Sequence, residues 1–183
     1  MPLASFSRPV NAQLKPVSLS SPIADRLDWA SRIFRRFKDH LAADSTSAGL
    51  LSRLRSATEA SSARMLDSGL VQTCAECETL EGGSCCGRGL EDHYDGYLLL
   101  INLLLGVNLP AERRDPRSCY FLGLKGCVLS ARHVLCVNYL CRKATDRIDS
   151  KALALLRELE GVQLEALFLL HERVRKLVKE LEQ

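Results

Sequence analysis

Cys74-Ala75-Glu76-Cys77-Glu78-Thr79-Leu80-Glu81-Gly82-Gly83-Ser84-Cys85-Cys86-Gly87 is the stretch on which the fold of this 183-residue chain turns. It holds four of the eight cysteines. The other four follow as Cys119-Tyr120-Phe121-Leu122-Gly123-Leu124-Lys125-Gly126-Cys127 and Cys136-Val137-Asn138-Tyr139-Leu140-Cys141. None lies in the first 73 residues or the last 42. A buried thiol behaves as a small apolar side chain, and cysteines used only for packing would be scattered through the flanks as well. Clustering of this kind points to metal ligation or to a disulfide framework.

The flanks read as helical. Ser21 and Pro22 form an N-terminal helix signal, and Ile23, Leu27, Ala30, Phe34, Phe37 and Leu41 recur at three- and four-residue steps. Arg32, Arg35, Arg36 and Lys38 mark the opposite, solvated face, and Trp29 belongs to the core. A second helix is predicted from about Ser47 to Ser68 through Leu51, Leu54, Met65 and Leu66, with Gly69 as its stop. Four glycines between residues 82 and 89 suit an irregular backbone over about 71 to 89. A third helix is expected over roughly Leu90 to Leu105, and Cys119 to Leu129 reads as a hairpin turning near Gly123 to Gly126. The last helix runs from about Asp149 to Glu182, with Leu167, Leu170, Val174, Leu177 and Leu181 on one stripe and Gly161 as a candidate kink. The expected fold is mainly α. Residues 1–21, rich in Ser and Pro, form a flexible tail, and 22–183 form one helical domain around a cysteine-cluster core at 74–141, with a short β-hairpin.

Composition narrows the function. A net charge of +3 and 5% aromatics give little support to nucleic-acid binding. The apolar run from Tyr97 to Leu105 is too short to span a bilayer and is interrupted by Asn102. No apolar leader is visible at the N-terminus, so a cytoplasmic protein is expected. In a reducing compartment clustered cysteines favour metal over disulfides. A redox-active C-x-x-C at Cys74 and Cys77 lacks the βαβ pattern that would support it.

Thiolates suit Zn²⁺ and iron–sulfur clusters, because both are soft enough to prefer sulfur. The candidate metal ligands are Cys74, Cys77, Cys85, Cys86, Cys119, Cys127, Cys136 and Cys141. They are enough for two four-thiolate sites, or for one site with spare thiols. Neighbours in an extended segment point to opposite sides, so Cys85 and Cys86 either divide between two centres or one of them is not a ligand. From Glu112 to Lys143 seven bases face two acids, Glu112 and Asp115, whereas Glu76, Glu78, Glu81, Glu91, Asp92 and Asp95 stand against Arg88 alone. The basic half would offset thiolate charge, and the two halves would be complementary if they met. His133 is a further ligand candidate or a hydrogen-bonding group. His93 lies in an acidic cluster that suits an acid–base or carboxylate–metal site or, more simply, a helix N-terminus. His40 and His171 are expected at the surface, and Arg132 is placed either at the surface or against cluster sulfur.

The order of these motifs resembles the YkgJ-like cysteine-cluster family, described as zinc- or iron-chelating. The counterparts of its signature are Cys74, Cys77 and Cys85-Cys86, then Cys119-Tyr120-Phe121-Leu122, then Gly126-Cys127-Val128-Leu129, and finally Arg132 through Cys136 and Tyr139 to Cys141. The resemblance covers residues 74–141 and implies chelation through all eight cysteines. Seven residues rather than three separate Cys77 from Cys85, and His133 stands where the family has Pro. A similar cysteine pattern in flagellin lysine methylases goes with an iron–sulfur cluster. Three functions are therefore expected in turn: a metal-binding protein holding Zn or an iron–sulfur cluster; a zinc-stapled adaptor that binds a protein partner through its C-terminal helix; and an iron–sulfur component of a protein-modifying enzyme.

Overall fold

The computed structural model describes residues 17–183. Its helices are α1 (Ile23–Ala43), α2 (Ser45–Asp67), α3 (Leu70–Leu80), α4 (Gly96–Leu104), α5 (Val134–Asn138), α6 (Arg142–Thr145) and α7 (Ser150–Leu181). A 3₁₀ turn covers Leu90–His93, and a two-stranded antiparallel hairpin joins β1 (Leu122–Gly123) to β2 (Gly126–Cys127). The fold is mainly α with one small hairpin, as expected. The predicted loose tail falls outside the described residues over positions 1–16. Residues 18–21 form a turn closed by the Ser21 N–H on the Ser18 carbonyl at 3.1 Å. No described helix is long and apolar enough to cross a membrane.

One residue, Asp44, separates α1 from α2 and does three jobs. Its backbone N–H closes α1 on the His40 carbonyl, and its carboxylate caps α2 by accepting from the Ser47 N–H at 2.8 Å. The same carboxylate binds Arg173 of α7, and that guanidinium holds it well below the usual carboxylate range. Between α2 and α3 the chain passes through Gly69 at φ +76°, a left-handed conformation that ends α2 with little strain only in glycine.

The main core joins α1, α2, α4 and α7. On α1 the buried stripe is Trp29, Ala30, Ile33, Phe37 and Leu41. It is turned relative to the predicted one, so Ile23, Leu27 and Phe34 pack only at the margin. The turn brings in a charge that hydropathy could not mark: Arg26 is fully buried. Its guanidinium donates to the carbonyls of Glu91, Asp92 and Tyr94 and to the Asp92 carboxylate. Along α2 the residues facing α7 are mostly small, with Ala57 and Ser61 beside Leu54, while Leu66 is exposed. Small side chains let the two helices approach, and the Ser61 hydroxyl donates to Gln163 Oε1 at 2.6 Å across the contact. Gly161 does not interrupt α7. The predicted stripe on α7 holds at Leu167, Leu170 and Val174. Leu177 and Leu181 are only half-buried, and Val178 is the fully buried residue of the last turns.

The predicted third helix is divided. Residues 90–93 make a single 3₁₀ turn, and Asp95 then caps α4 through the Leu98 N–H at 2.7 Å. Glycine decides where α4 begins: a Cβ on Gly96 would lie 2.5 Å from Trp29 Cε3, so only glycine lets this turn close on the indole.

Candidate metal centre

The cysteine segments are held by three scaffolds. The first is helical. Residues 70–80 contain neither Gly nor Pro, and the glycines that suggested an irregular backbone begin only at 82, so Cys74 and Cys77 sit one turn apart on α3. This corrects the expectation of an irregular 71–89 segment: the irregular part is the loop after α3. The Cys77 carbonyl accepts from the N–H groups of Glu81 and Gly83, ending the helix and turning the chain back. Glu78 then fastens the loop. Its carboxylate accepts from the Ser84 N–H at 2.9 Å and the Ser84 hydroxyl at 2.7 Å, and from the Ser118 hydroxyl at 3.3 Å.

The second scaffold is extended. Cys119 donates its N–H to the Cys86 carbonyl at 2.7 Å, Arg88 donates to the Arg117 carbonyl at 2.8 Å, and Gly87 pairs antiparallel with Ser118. The hairpin pairs Leu122 with Cys127 and Gly123 with Gly126, and the Val128 N–H reaches the Phe121 carbonyl at 2.9 Å. Buried Glu91 ties this scaffold together, accepting from the Gly89 and Tyr120 N–H groups and pairing with Arg113. Burial works to raise its carboxyl, but Arg113 and the backbone donors outweigh that and hold it below the usual range.

The third scaffold is the pair of short helices α5 and α6. Cys136 lies in α5 and donates its N–H to the His133 carbonyl at 2.8 Å. Cys141 heads α6, where its carbonyl accepts from Ala144 and Thr145 at 3.0 Å each. Two ion pairs, Lys143 of α6 with Glu81 just past α3 and Arg147 just past α6 with Glu76 of α3, hold these segments together. The acidic and basic segments therefore do meet.

These scaffolds bring thiols from separate segments into electrostatic reach of one another. Cys74 lies within electrostatic reach of Cys77, Cys85 and Cys141. Cys86 lies within reach of Cys119, Cys127 and Cys136. The neighbours Cys85 and Cys86 interact with each other directly, which holds the Cys86 thiol down and Cys85 up. Burial pushes the Cys119 thiol up to about 11 and raises Cys74 as well. All eight cysteines are free thiols. The groups are gathered rather than closed: among the described residues, no three His, Cys, Asp or Glu side chains converge tightly enough to hold an ion. As residue types, eight soft sulfurs suit a metal that prefers thiolate.

The chain matches no family model, no curated protein and no solved structure. The likeness to the cysteine-cluster family rests on the quoted residues.

The histidines lie outside both groups. His133 caps α5, its Nδ1 accepting from the Leu135 N–H at 3.3 Å, while burial and the neighbouring His93 keep the ring below its ordinary pKa. His93 is exposed and stacks on His133 at 5.2 Å. Its acidic neighbours are employed elsewhere: Glu91 with Arg113, Asp92 with Arg26, and Asp95 as a helix cap bound to His171 at 2.9 Å. His171 was expected at the surface and is instead half-buried by that contact, whereas His40 is exposed. Sequence reasoning missed Glu78 and Tyr94 as supports of the thiol segments. It noted Asn102 only as a break in an apolar run. In the structure Asn102 is fully buried, and its amide both donates to the Ala131 carbonyl at 2.9 Å and accepts from the Ala131 N–H at 3.0 Å. A lone amide inside an apolar helix was the available signal.

Proposed function

We propose that the protein binds metal through its eight cysteines, as two four-thiolate centres holding Zn²⁺ or an iron–sulfur cluster. The observation that supports this reading is the approach of thiols distant in sequence, with Cys77, Cys85 and Cys141 in electrostatic reach of Cys74, and Cys119, Cys127 and Cys136 in reach of Cys86. Cations stand beside both groups, Lys143 and Arg147 near Cys77 and Arg113 near Cys119, where they offset thiolate charge. When bound, the metal would keep the thiols deprotonated and cross-link segments that are distant in sequence. A reducing compartment such as the cytoplasm suits such a protein.

The test is the metal and acid-labile sulfide content of protein purified without oxygen, together with its visible spectrum. Colourless protein with two zinc ions per chain, or brown protein with iron and sulfide in equal amounts, is the expected outcome. Metal-free protein with eight titratable thiols would overturn the reading.

One observation favours a partner-binding reading beside it. Leu155, Val162 and Leu169 are exposed at seven-residue steps on α7, with Phe168 beside them. Under that reading, Lys at 155, 162 and 169 removes a reproducible binding partner and leaves metal content unchanged; retention of the partner would refute it.

A further inference from the structure

The outer face of α7 is divided by charge. Glu158, Glu165, Glu172, Lys176 and Lys179 follow one another at steps of seven, four and three residues, which sets them on one side of the helix. The buried stripe through Leu167, Leu170, Val174 and Val178 takes the other side, against the core. Acids come first along the outer face, and bases, joined by exposed Arg175, come last. At the boundary between the halves stand Phe168 and Leu169, 65% and 40% exposed. Beside them lies an open cleft of about 530 Å³, lined by Glu172, Arg173, Arg175, Lys176 and Lys179.

Ion pairs within the chain leave these charges accessible. Glu165 pairs with Arg53, Glu172 with Arg175 and Lys176 with Glu180, yet every one of those side chains keeps between 43% and 67% of its surface exposed. Such pairs contribute little and exchange partners at little cost.

We infer that this face of α7 docks on the same face of a second copy of the chain, the two helices running antiparallel about a two-fold axis level with Leu170. The inference rests on the partner-binding reading of α7 and names that partner. A two-fold interface joins one patch to itself, so the patch must be self-complementary. The antiparallel arrangement sets Glu165 of each copy against Arg175 and Lys176 of the other. Phe168 and Leu169 of both copies then meet at the axis, and the cleft on the basic half receives the acidic half of the other copy. A parallel pair would instead set Glu165 on Glu165 and Lys176 on Lys176, like charge against like.

Sedimentation velocity of the reduced full-length protein over a concentration series should show a reversible dimer that weakens with salt. Phe168→Ser should raise its Kd by roughly 10- to 100-fold. Glu165→Lys and Lys176→Glu should each raise it by roughly tenfold, because the two-fold axis counts every contact twice. Mixing these two charge-reversed variants should restore association, as a heterodimer with opposite charges at both contacts. All three side chains are exposed, so helical circular dichroism and melting temperature of the monomer should match wild type. A wild-type dimer that ignores the three substitutions, or a mixture no tighter than the separate variants, overturns the inference. Wild type that stays monomeric at every concentration overturns it too. In that case, loss of a different protein on substituting Leu155, Val162 and Leu169 leaves the partner-binding reading standing, and no such loss overturns both.

Discussion

The Cys86 group and the Cys74 group are built from the same residue type and hold to the molecule in different ways. Cys119 is buried in the main core, Cys86 and Cys136 pack against its margin, and backbone hydrogen bonds link Cys86 to Cys119 and position 121 to 128. Cys74 and Cys77 sit on an eleven-residue helix, and Cys141 belongs to a satellite cluster of Leu70, Ala144, Ile148 and Leu156. Two ion pairs near the surface close that side. Such pairs are screened by water and contribute little by themselves. Thiols anchored to a packed core would lose less order on metal binding than thiols hung between short helices. Under the proposed metal-binding function, the Cys86 group would have the character of a structural centre and the Cys74 group that of an exchangeable one.

The sharpest break of this comparison is a pair of ligand substitutions. Cys119→Ser should remove one metal equivalent and lower the melting temperature by more than about 10 °C, given roughly 2–4 °C per kcal/mol for a chain of this length and the coupling of metal binding to folding. Cys77→Ser should also remove one equivalent, with a much smaller shift. Equal shifts would erase the distinction. A chelator titration should likewise release metal in two steps, the first without loss of helical circular dichroism.

Next in size is Glu91→Ala. Removing a buried carboxylate that pairs with Arg113 and satisfies two backbone donors should cost about 3–5 kcal/mol in denaturant unfolding. Glu81→Gln, its counterpart beside the Cys74 group, should leave global stability unchanged while loosening α6 in hydrogen exchange. Tyr94→Phe should be milder, at about 1 kcal/mol, because it leaves the His133 N–H without its acceptor.

The smallest effect concerns a pair that makes no contact with a thiol and serves as a control. Burial works against charge on His171, but the Asp95 carboxylate outweighs it and raises the imidazole above its ordinary value; Asp95 is in turn lowered. The Asp95 contribution is present above about pH 4 and is lost as pH falls through its lowered value. The His171 contribution is present below about pH 6.5 and is lost as pH rises through its raised value. The stability advantage of wild type over His171→Gln should thus be widest near pH 5–6 and shrink on going alkaline. Melting temperature against pH measures it, with metal content unchanged.

Much of the helical frame was legible because periodicity and punctuation are local. Gly69 ended a helix, the glycines at 123 and 126 bounded a hairpin, and the leucine pattern of α7 marked its buried stripe. Positions 70–80 were misread because the count of nearby glycines was allowed to stand for the whole segment. The stripe on α1 was misplaced because Arg26 is buried, and no hydropathy pattern assigns a cation to a core. Its burial depends on the carbonyls of residues 91–94, which the chain brings to it from 65 positions away.

By itself the sequence determined a mainly helical chain, a central cluster of eight thiols, and the alternatives for Cys85 and Cys86, all of which follow from residue type and short-range spacing. Only the tertiary structure decided which distant thiols approach one another, with Cys85 and Cys141 in electrostatic reach of Cys74, and Cys119, Cys127 and Cys136 in reach of Cys86. These approaches depend on α3 meeting α6 and on residues 86–88 pairing with 117–119. Such contacts arise from packing and long-range hydrogen bonding, which spacing along one chain does not encode.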